Sequence, residues 1–201
     1  MAFGRRVCYG GVVWKDCLRQ ATNTGHAQVH MQDRQYKFSW DFVGDPQEGR
    51  PNLGNTTRIE VYRLFQYTLR DVLEETYGTE TADRLLYKAG LLAGTEFCKK
   101  FIGKHDSLSS FLAEVQQVLM DLNIGILRVE RSDPDVFHFV LTVAEDLDCS
   151  GLPEMGHAVC TYDEGFIVGI FNSYTGREFV AKEIDCWCTG DRVCRFEVNA
   201  K

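Results

Sequence analysis

The sequence lacks a long apolar run and an excess of positive charge, and each absence excludes a class of protein. No uninterrupted apolar segment is long enough to cross a bilayer, so we expect no membrane insertion. Lys and Arg number 22 against 29 Asp and Glu, which gives a net charge of −7. An acidic chain has no overall field that attracts nucleic acid or anionic membranes, and we expect neither as a partner.

Signals for export and for several common chemistries are also missing. The opening segment MAFGRRVCYGGVVWKDC has two arginines, but Gly, Trp, Lys and Asp interrupt the apolar stretch that a signal peptide needs. We therefore expect a cytoplasmic protein with reduced thiols. The Rossmann glycine fingerprint, the Walker A sequence, the Gly-x-Ser-x-Gly elbow, the His-Glu-x-x-His motif and the Cys-x-x-Cys pair are all absent.

The chain is instead rich in cysteine. With 201 residues, of which 44% are hydrophobic and 25% charged, it has the composition of one ordinary globular domain with an extension. Five of its eight cysteines are concentrated toward the carboxyl end, at Cys149, Cys160, Cys186, Cys188 and Cys194. Because disulfides are uncommon in a reducing compartment, this concentration favours metal binding or redox chemistry. Spacing alone leaves a metal site and a set of buried or reactive thiols as equal alternatives.

Hydrophobic periodicity predicts an α+β fold, in which an antiparallel sheet has helices packed on one face. Residues 1–49 are predicted to form a strand-rich extension and residues 50–201 the main domain. In the extension, the apolar cluster Arg6–Trp14 and the alternating aromatic and polar residues of Gln35–Phe42 both predict strands.

In the main domain, the spacing of hydrophobic residues alternates several times between helical and strand periods. Helical spacing predicts four helices, at Arg58–Tyr77, at Thr81–Ile102, after Ser107, and at His157–Tyr174. Alternation predicts a hairpin of Gly125–Glu130 with Val136–Val143 and a strand at Arg177–Glu183, and Cys186–Val198 is predicted to form a last hairpin around the turn Thr189–Arg192. Gly90 and Gly94 lie four residues apart inside the second helix, where each costs about 1 kcal/mol relative to alanine. They indicate either close approach of another backbone, which we favour, or room for a ligand.

Short motifs in the last third of the chain carry a resemblance. They are Cys149-Ser-Gly-Leu-Pro, then His157-Ala-Val-Cys160 at the start of a predicted helix that contains Gly165 and Gly169, then Lys182-Glu183-Ile-Asp-Cys186, Gly190-Asp, and Cys194-Arg-Phe196. Together with Arg50-Pro-Asn-Leu53-Gly54 upstream, they resemble the 4-vinyl reductase domain family, a small-molecule-binding domain related to the sensor domains of aromatic-responsive regulators. The resemblance covers about residues 50–198. Relatives often carry a dimerising segment before it, so we expect residues 1–49 to support a homodimer.

The resemblance implies a structural zinc ion held by Cys160, Glu183, Cys186 and Cys194. Four protein ligands leave no open position for water, so such a site stabilises the fold and does not catalyse. Glu183 and Cys186 are three residues apart, and a regular strand would direct them to opposite faces, so the strand must bend or end between them. Cys188 lies outside this ligand set, as a neighbour of the metal, a substitute ligand or an ordinary buried residue.

The resemblance also implies a ligand pocket between the helices and the sheet, next to the metal. The matching positions are Leu92, Phe97, Phe111, Phe137, Phe139, Tyr162, Phe166 and Trp187. Aromatic residues at helix and strand spacing are nevertheless more often part of a plain core than of a ligand pocket.

Three functions follow from these observations. The leading hypothesis is a zinc-containing domain that binds a small hydrophobic or aromatic molecule as a sensor or carrier. The family name suggests a second, which is vinyl reduction on a (bacterio)chlorophyll precursor, or carriage of that substrate, although no hydride source is visible in the sequence. The third is a thiol redox sensor built on Cys186 and Cys188. We expect binding rather than catalysis.

Overall fold

The computed structural model describes residues 35–201, which fall into two compact units divided between Asn55 and Thr56. The first unit contains a 3-10 turn at Trp40–Phe42 and a one-turn helix, α1, at Pro46–Gly49. The strand predicted for Gln35–Phe42 is therefore wrong, because the Ser39 hydroxyl accepts the Asp41 N–H and starts the 3-10 turn instead.

Two other predictions about this end of the chain stay open. The strand predicted for Arg6–Trp14 lies outside the described residues. The domain boundary after residue 49 stays a prediction.

The second unit contains four helices and four strands. The helices are α2 (Ile59–Tyr77), α3 (Thr79–Phe101), α4 (Leu108–Asp121) and α5 (Thr161–Thr175). Gly78 separates α2 from α3 at a φ of 77°, a positive value that glycine adopts without strain. Ser107 caps α4 by accepting the N–H of Ser110. The last helix begins at Thr161 rather than at His157, with Cys160 as its N-cap residue.

The four strands form one antiparallel sheet. They are β1 (Ile126–Asp133), β2 (His138–Ala144), β3 (Phe179–Asp185) and β4 (Cys194–Ala200), in the order β1-β2-β4-β3. In β3 the buried and exposed residues alternate, so one face of this strand is turned to the core. The α+β class and the antiparallel sheet are confirmed, and helices α4 and α5 pack against strands β1 and β3.

The core lies between this sheet and the helices. Four phenylalanines are fully buried there, Phe111 on α4 and Phe139, Phe179 and Phe196 on three different strands. Burial of one such side chain contributes about 1.5–3 kcal/mol relative to exposure. These rings hold α4 and the sheet together, and they leave the cysteines of the carboxyl-terminal third to close one end of the core.

Helices α3 and α5 approach until their backbones touch. A Cβ atom added to Gly90 or Gly94 would lie within 3.0 Å of the backbone of α5, at Tyr162 and Phe166. Gly165 and Gly169 on α5 face the backbone of α3 in the same way. The glycines therefore serve helix packing, the interpretation that we favoured from the sequence. Among the described residues, no helix is both long enough and apolar enough to span a membrane.

Candidate metal centre and adjoining cavity

Four cysteines meet in the interior, near the end of β3 and the start of β4. The sulfur atoms of Cys149, Cys160, Cys186 and Cys194 all lie within 4.8 Å of one another, and all four residues are buried. The Cys160 sulfur is 3.9 Å from that of Cys186 and 3.7 Å from that of Cys194, and the sulfurs of Cys149 and Cys194 are 3.0 Å apart. We call this group the cysteine cluster.

Each sulfur of the cysteine cluster is placed by a different local structure. Cys149 lies in the loop after β2, where Asp146 Oδ1 accepts the N–H groups of Asp148 and Cys149 at 2.7 and 3.0 Å. Cys160 is the N-cap residue of α5, and Cys194 is the first residue of β4. The cluster thereby joins a loop, a helix end and the sheet.

Cys186 lies in a tight turn after β3. Its side chain accepts the N–H of Thr189, whose hydroxyl in turn accepts the Cys186 N–H at 3.2 Å. Gly190 follows in the left-handed region at a φ of 102°. The pairing of β3 with β4 is irregular between Glu183 and Asp185, and β3 ends there. This irregularity is the break between Glu183 and Cys186 that the sequence predicts.

The donor set of the cysteine cluster fits a zinc ion. A tetrahedral ion with Zn–S bonds of about 2.3 Å places its sulfur ligands about 3.8 Å apart. The two separations measured from Cys160, 3.9 and 3.7 Å, match that value. The Cys149–Cys194 pair, at 3.0 Å, would have to open by about 0.8 Å to share the same ion. A buried cysteine cluster that could hold a metal ion is thus present.

Glu183 lies beside the cysteine cluster. Its Oε2 accepts the N–H of Cys160 at 3.3 Å, while its buried Oε1 has no hydrogen-bond partner among the described residues. Burial, followed by the charge of Cys186, raises the pKa of the Glu183 carboxyl to about 8. The contacts of Cys186 with Cys149, Cys160 and Cys194 lower the pKa of the Cys186 thiol.

Cys188 is buried but lies outside the cysteine cluster. Burial, followed by the charge of Cys186, raises the pKa of its thiol to about 12. Its backbone carbonyl accepts the N–H groups of Met155 and Gly156 at 2.8 and 3.0 Å. Cys188 therefore holds the loop that leads to Cys160.

Helix α2 holds the loop that carries Cys149. Arg63 donates hydrogen bonds to the carbonyls of Leu147, Ser150 and Asp146 at 2.8, 2.9 and 3.3 Å. From the same helix, the Tyr62 hydroxyl and the Gln66 amide donate to the two carboxylate oxygens of Asp148 at 2.8 and 2.6 Å, and the Tyr67 hydroxyl donates to the Asp148 carbonyl at 3.0 Å. The position of Cys149 thus depends on α2.

An apolar cavity of about 40 Å³ lies between α4, α5 and the sheet, next to the cysteine cluster. Its walls are Leu112, Val115, Leu119, Ile124, Gly125, Leu127, Leu141, Val143, Phe166, Ile167, Ile170 and Phe171. Of the described residues that line it, only Asp146 and Asp163 carry a charged group. One carboxylate oxygen of each aspartate and the Cys160 sulfur lie within 4.8 Å of one another, so the acidic end of the cavity adjoins the cluster.

Asp163, in the first turn of α5, is an unusual residue to line an apolar cavity. Its Oδ2 is fully enclosed and finds no hydrogen-bond partner in the part of the chain that the structure describes. Burial, followed by the charges of Asp148 and Asp146, raises the pKa of the Asp163 carboxyl well above its usual value. Burial, followed by the charge of Asp148, likewise raises the pKa of Asp146 to about 7.

The predicted pocket residues are spread over several environments. Phe166 lines the cavity, and its ring lies edge-on to that of Phe97 at 5.2 Å. Tyr162 lines a second pocket of about 210 Å³ between α2, α3 and α5. Leu92 is 49% exposed.

The other four predicted pocket residues pack elsewhere. Phe111 stacks on Tyr174 at 3.9 Å, and Phe139 packs against Phe171 at 5.0 Å. Phe137 lies under the Arg177 guanidinium, and the Trp187 indole donates to the Leu152 carbonyl at 2.9 Å. The cavity thus gathers aliphatic side chains of α4 and α5 that sequence reasoning left in the plain core.

The fold and the cysteine cluster define the class of the protein, an α+β domain whose carboxyl-terminal strands are gathered around four buried sulfurs. Residues 139–200 match the profile of the 4-vinyl reductase domain. This match covers nearly all of β2 and continues through β4, and it includes all four cluster cysteines. The resemblance to the 4-vinyl reductase domain family is therefore confirmed.

Two curated relatives come from Methanocaldococcus jannaschii. The protein MJ0150 is 27% identical over 147 residues, which cover 73% of this chain and 78% of MJ0150. The protein MJ1642 is 22% identical over 147 residues, which cover 73% of this chain and 80% of MJ1642. Each alignment thus includes most of both proteins.

Solved structures share the fold at low sequence identity. A vinyl-4-reductase family protein from Methanocaldococcus jannaschii has a TM-score of 0.55 at 15% identity, covering 84% of this chain and 99% of its own. The phenol-responsive sensory domain of the transcription activator PoxR, solved with phenol, has a TM-score of 0.53 at 17% identity. The alignment covers 66% of this chain and 71% of the PoxR domain. A trafficking protein particle complex subunit 3 from Naegleria fowleri, covalently bound to palmitic acid, has a TM-score of 0.57 at 16% identity. The alignment covers 71% of this chain and 95% of that subunit.

Proposed function

We propose that the chain is a small-molecule-binding domain, acting as a sensor or carrier, in which a zinc ion in the cysteine cluster fixes one end of an apolar ligand cavity. One observation carries the proposal. The cavity between α4, α5 and the sheet is lined almost wholly by apolar side chains, and its acidic end lies within 4.8 Å of the Cys160 sulfur. A largely apolar cavity with a few converging polar groups is the usual form of a ligand site.

The zinc ion would be held by Cys160, Cys186 and Cys194, with Cys149 as the fourth ligand. Cys149 is favoured because its sulfur belongs to the cysteine cluster, whereas the sequence resemblance implies Glu183 in that place. The unpartnered Oε1 of Glu183 is the observation that supports the alternative. Either set is closed, so the ion would crosslink the loop, the helix end and the sheet, and it would leave the chemistry of binding to the cavity.

The two neighbours with bound molecules support the binding role only by analogy of fold. The PoxR domain was solved with phenol and the trafficking subunit with palmitic acid. A hydrophobic or aromatic ligand for this chain is part of the proposal. The predicted contacts of Leu92, Phe97, Phe111, Phe137, Phe139, Tyr162 and Trp187 and the homodimer through residues 1–49 stay predictions, and so does the cytoplasmic location.

Native mass spectrometry of the freshly purified chain, prepared without chelator, tests the metal and the ligand together. We expect a mass increment of one zinc per chain and binding of small apolar molecules that a cavity-filling change such as Ile170→Phe abolishes. If Ile170→Phe bound these molecules as well as the unaltered chain does, the ligand would not lie in this cavity.

The Cys149–Cys194 separation of 3.0 Å makes a thiol switch the competing function. Thiol titration with and without chelator separates the two functions. Thiols that become reactive only when chelator is added support zinc. A metal-free protein in which two thiols are lost on mild oxidation and recovered on reduction supports the switch.

A further inference from the structure

Asp163, on α5, is a half-buried residue whose carboxyl group accepts no hydrogen bond at Oδ2 from any described residue. Its Oδ2 is enclosed, and its side chain forms part of the cavity wall. An enclosed carboxylate oxygen without a hydrogen-bond partner is unfavourable unless some group supplies a donor. No group of residues 35–201 donates to Oδ2, and the cavity beside it has room for a molecule that could.

Two basic side chains of the same domain are already engaged. Arg63 donates to the backbone carbonyls of the Cys149 loop, and Lys182 pairs with Glu164 at 2.9 Å. Asp146, the other acidic wall, uses Oδ1 for two backbone N–H groups. The acidic end of the cavity therefore presents hydrogen-bond acceptors, and no basic side chain of the described residues lines the cavity.

The spacing of the two carboxyl groups indicates what fits between them. One oxygen of Asp146 and one of Asp163 lie within 4.8 Å of each other. A nitrogen that donates to both at about 2.8 Å through tetrahedrally arranged N–H bonds bridges oxygens about 4.6 Å apart. A hydroxyl group has only one hydrogen and can donate to only one of them. A protonated amine has at least two N–H bonds and a positive charge.

The volume limits the rest of the ligand. A water needs about 10–15 Å³ of such space, so 40 Å³ holds about three water-sized groups. The walls beyond the acidic end are aliphatic and aromatic side chains. They favour a short apolar body of about three non-hydrogen atoms.

We infer that the cavity recognises a small alkylamine, whose ammonium group bridges Asp146 and Asp163 and whose apolar body lies between α4 and α5. The inference rests on the proposed binding function and narrows it to one class of ligand. A divalent metal ion at the same two carboxylates is the competing occupant, but an ion there would leave the apolar part of the cavity unused.

Three small probes of similar size test this inference on the full chain, purified without chelator. Isopropylamine has the charge and the donors, propan-2-ol has one donor and no charge, and tetramethylammonium has the charge but no N–H. Titrations followed by amide chemical shifts in NMR spectra report the three dissociation constants. We expect isopropylamine to bind at least about tenfold more tightly than either of the others.

Variants assign the selectivity to Asp163. Asp163→Asn should raise the dissociation constant of isopropylamine at least about tenfold and change that of propan-2-ol by less than about twofold. Asp71→Asn on α2 makes the same charge change at an exposed position and should change neither dissociation constant. If Asp163→Asn does not fold, Asp163→Leu has a similar size and tests the same loss of the carboxylate.

The outcomes separate this inference from the function on which it rests. If no probe binds the unaltered chain, the ligand cavity itself fails. If all three bind equally, or if Asp163→Asn keeps the preference for the amine, the cavity stands and the amine assignment is overturned. A second zinc equivalent that binds the unaltered chain and is lost in Asp163→Asn would also overturn it, in favour of a metal site.

Discussion

The Tyr62 hydroxyl on α2 donates a 2.8 Å hydrogen bond to the carboxylate of Asp148, the residue before Cys149. This bond joins positions 86 residues apart in the sequence. Burial, followed by the charge of Asp148, raises the pKa of Tyr62 above its usual value, so the phenol stays protonated and remains a donor. Helix α2 is thereby tied to the loop of the cysteine cluster.

Arg63→Ala should loosen this connection. The substitution removes the donors to the carbonyls of Asp146, Leu147 and Ser150. We expect the free energy of unfolding to fall by about 1–3 kcal/mol and chelators to remove zinc faster. Urea denaturation and a colorimetric zinc-release assay measure the two effects. Arg58→Ala is the control, because Arg58 is exposed and pairs with the neighbouring Glu60, and an equal effect of both changes would contradict the role of Arg63.

Cys160→Ala and Cys194→Ser should each lower the thermal unfolding temperature sharply. Each removes a sulfur from the cysteine cluster, and loss of one ligand weakens both the metal and the fold that it crosslinks. Cys98→Ser is the matched control, because Cys98 lies on α3 outside the cluster. Differential scanning calorimetry with zinc analysis checks all three. Equal tolerance of the three changes would remove the case for a specific metal site.

Cys149→Ser and Glu183→Gln separate the two possible fourth ligands. We expect Cys149→Ser to lower the zinc content at a fixed chelator concentration, because the sulfur of Cys149 belongs to the cluster. Glu183→Gln should keep about one zinc per chain, since the amide still offers an oxygen to the Cys160 N–H. The reverse pattern would assign the ligand to Glu183, as the family resemblance implies. Zinc content after dialysis is the measurement.

Gly94→Ala and Gly165→Ala should destabilise the protein, although alanine is the better helix former. The new methyl groups would fall within 3.0 Å of the backbones of Phe166 and Tyr87, so α3 and α5 would have to separate. Overpacking of this kind costs about 1–3 kcal/mol. At Gly103 an added Cβ meets nothing closer than 3.6 Å. Gly103→Ala should be tolerated in the same urea titration, and a tolerated Gly94→Ala would contradict the tight contact.

The sequence predicted most of the second unit because its helices and strands carry strong local signals. The turn at Gly78, the Ser107 cap and the alternation in β3 each reflect local chemistry that is readable without the fold. The strand predicted for Gln35–Phe42 was wrong because the alternation of aromatic and polar residues does not show that the Ser39 hydroxyl accepts the Asp41 N–H. The start of α5 was placed too early, since the residues before Cys160 have no helical conformation.

The cysteine cluster was predicted in part. Cys160, Cys186 and Cys194 were named from the motifs, and the break after Glu183 from the period of a strand. Cys149 opens the same run of motifs but was not named with them as a ligand, because its place in the cluster is set by Tyr62 and Arg63 on a distant helix. No periodic pattern records such a long-range contact. Asp163 was missed for the same reason, since an acidic residue in a first helical turn is ordinary until the cavity beside it is known.

The contact between α3 and α5 has a mechanical consequence. Where two helices meet through interlocking side chains, they can slide by exchanging rotamers, but Gly90, Gly94, Gly165 and Gly169 leave only main chain at these points of contact. If a metal or a ligand displaced the Cys160 end of α5, α3 would therefore have to move with it. The two helices would shift together as one rigid pair.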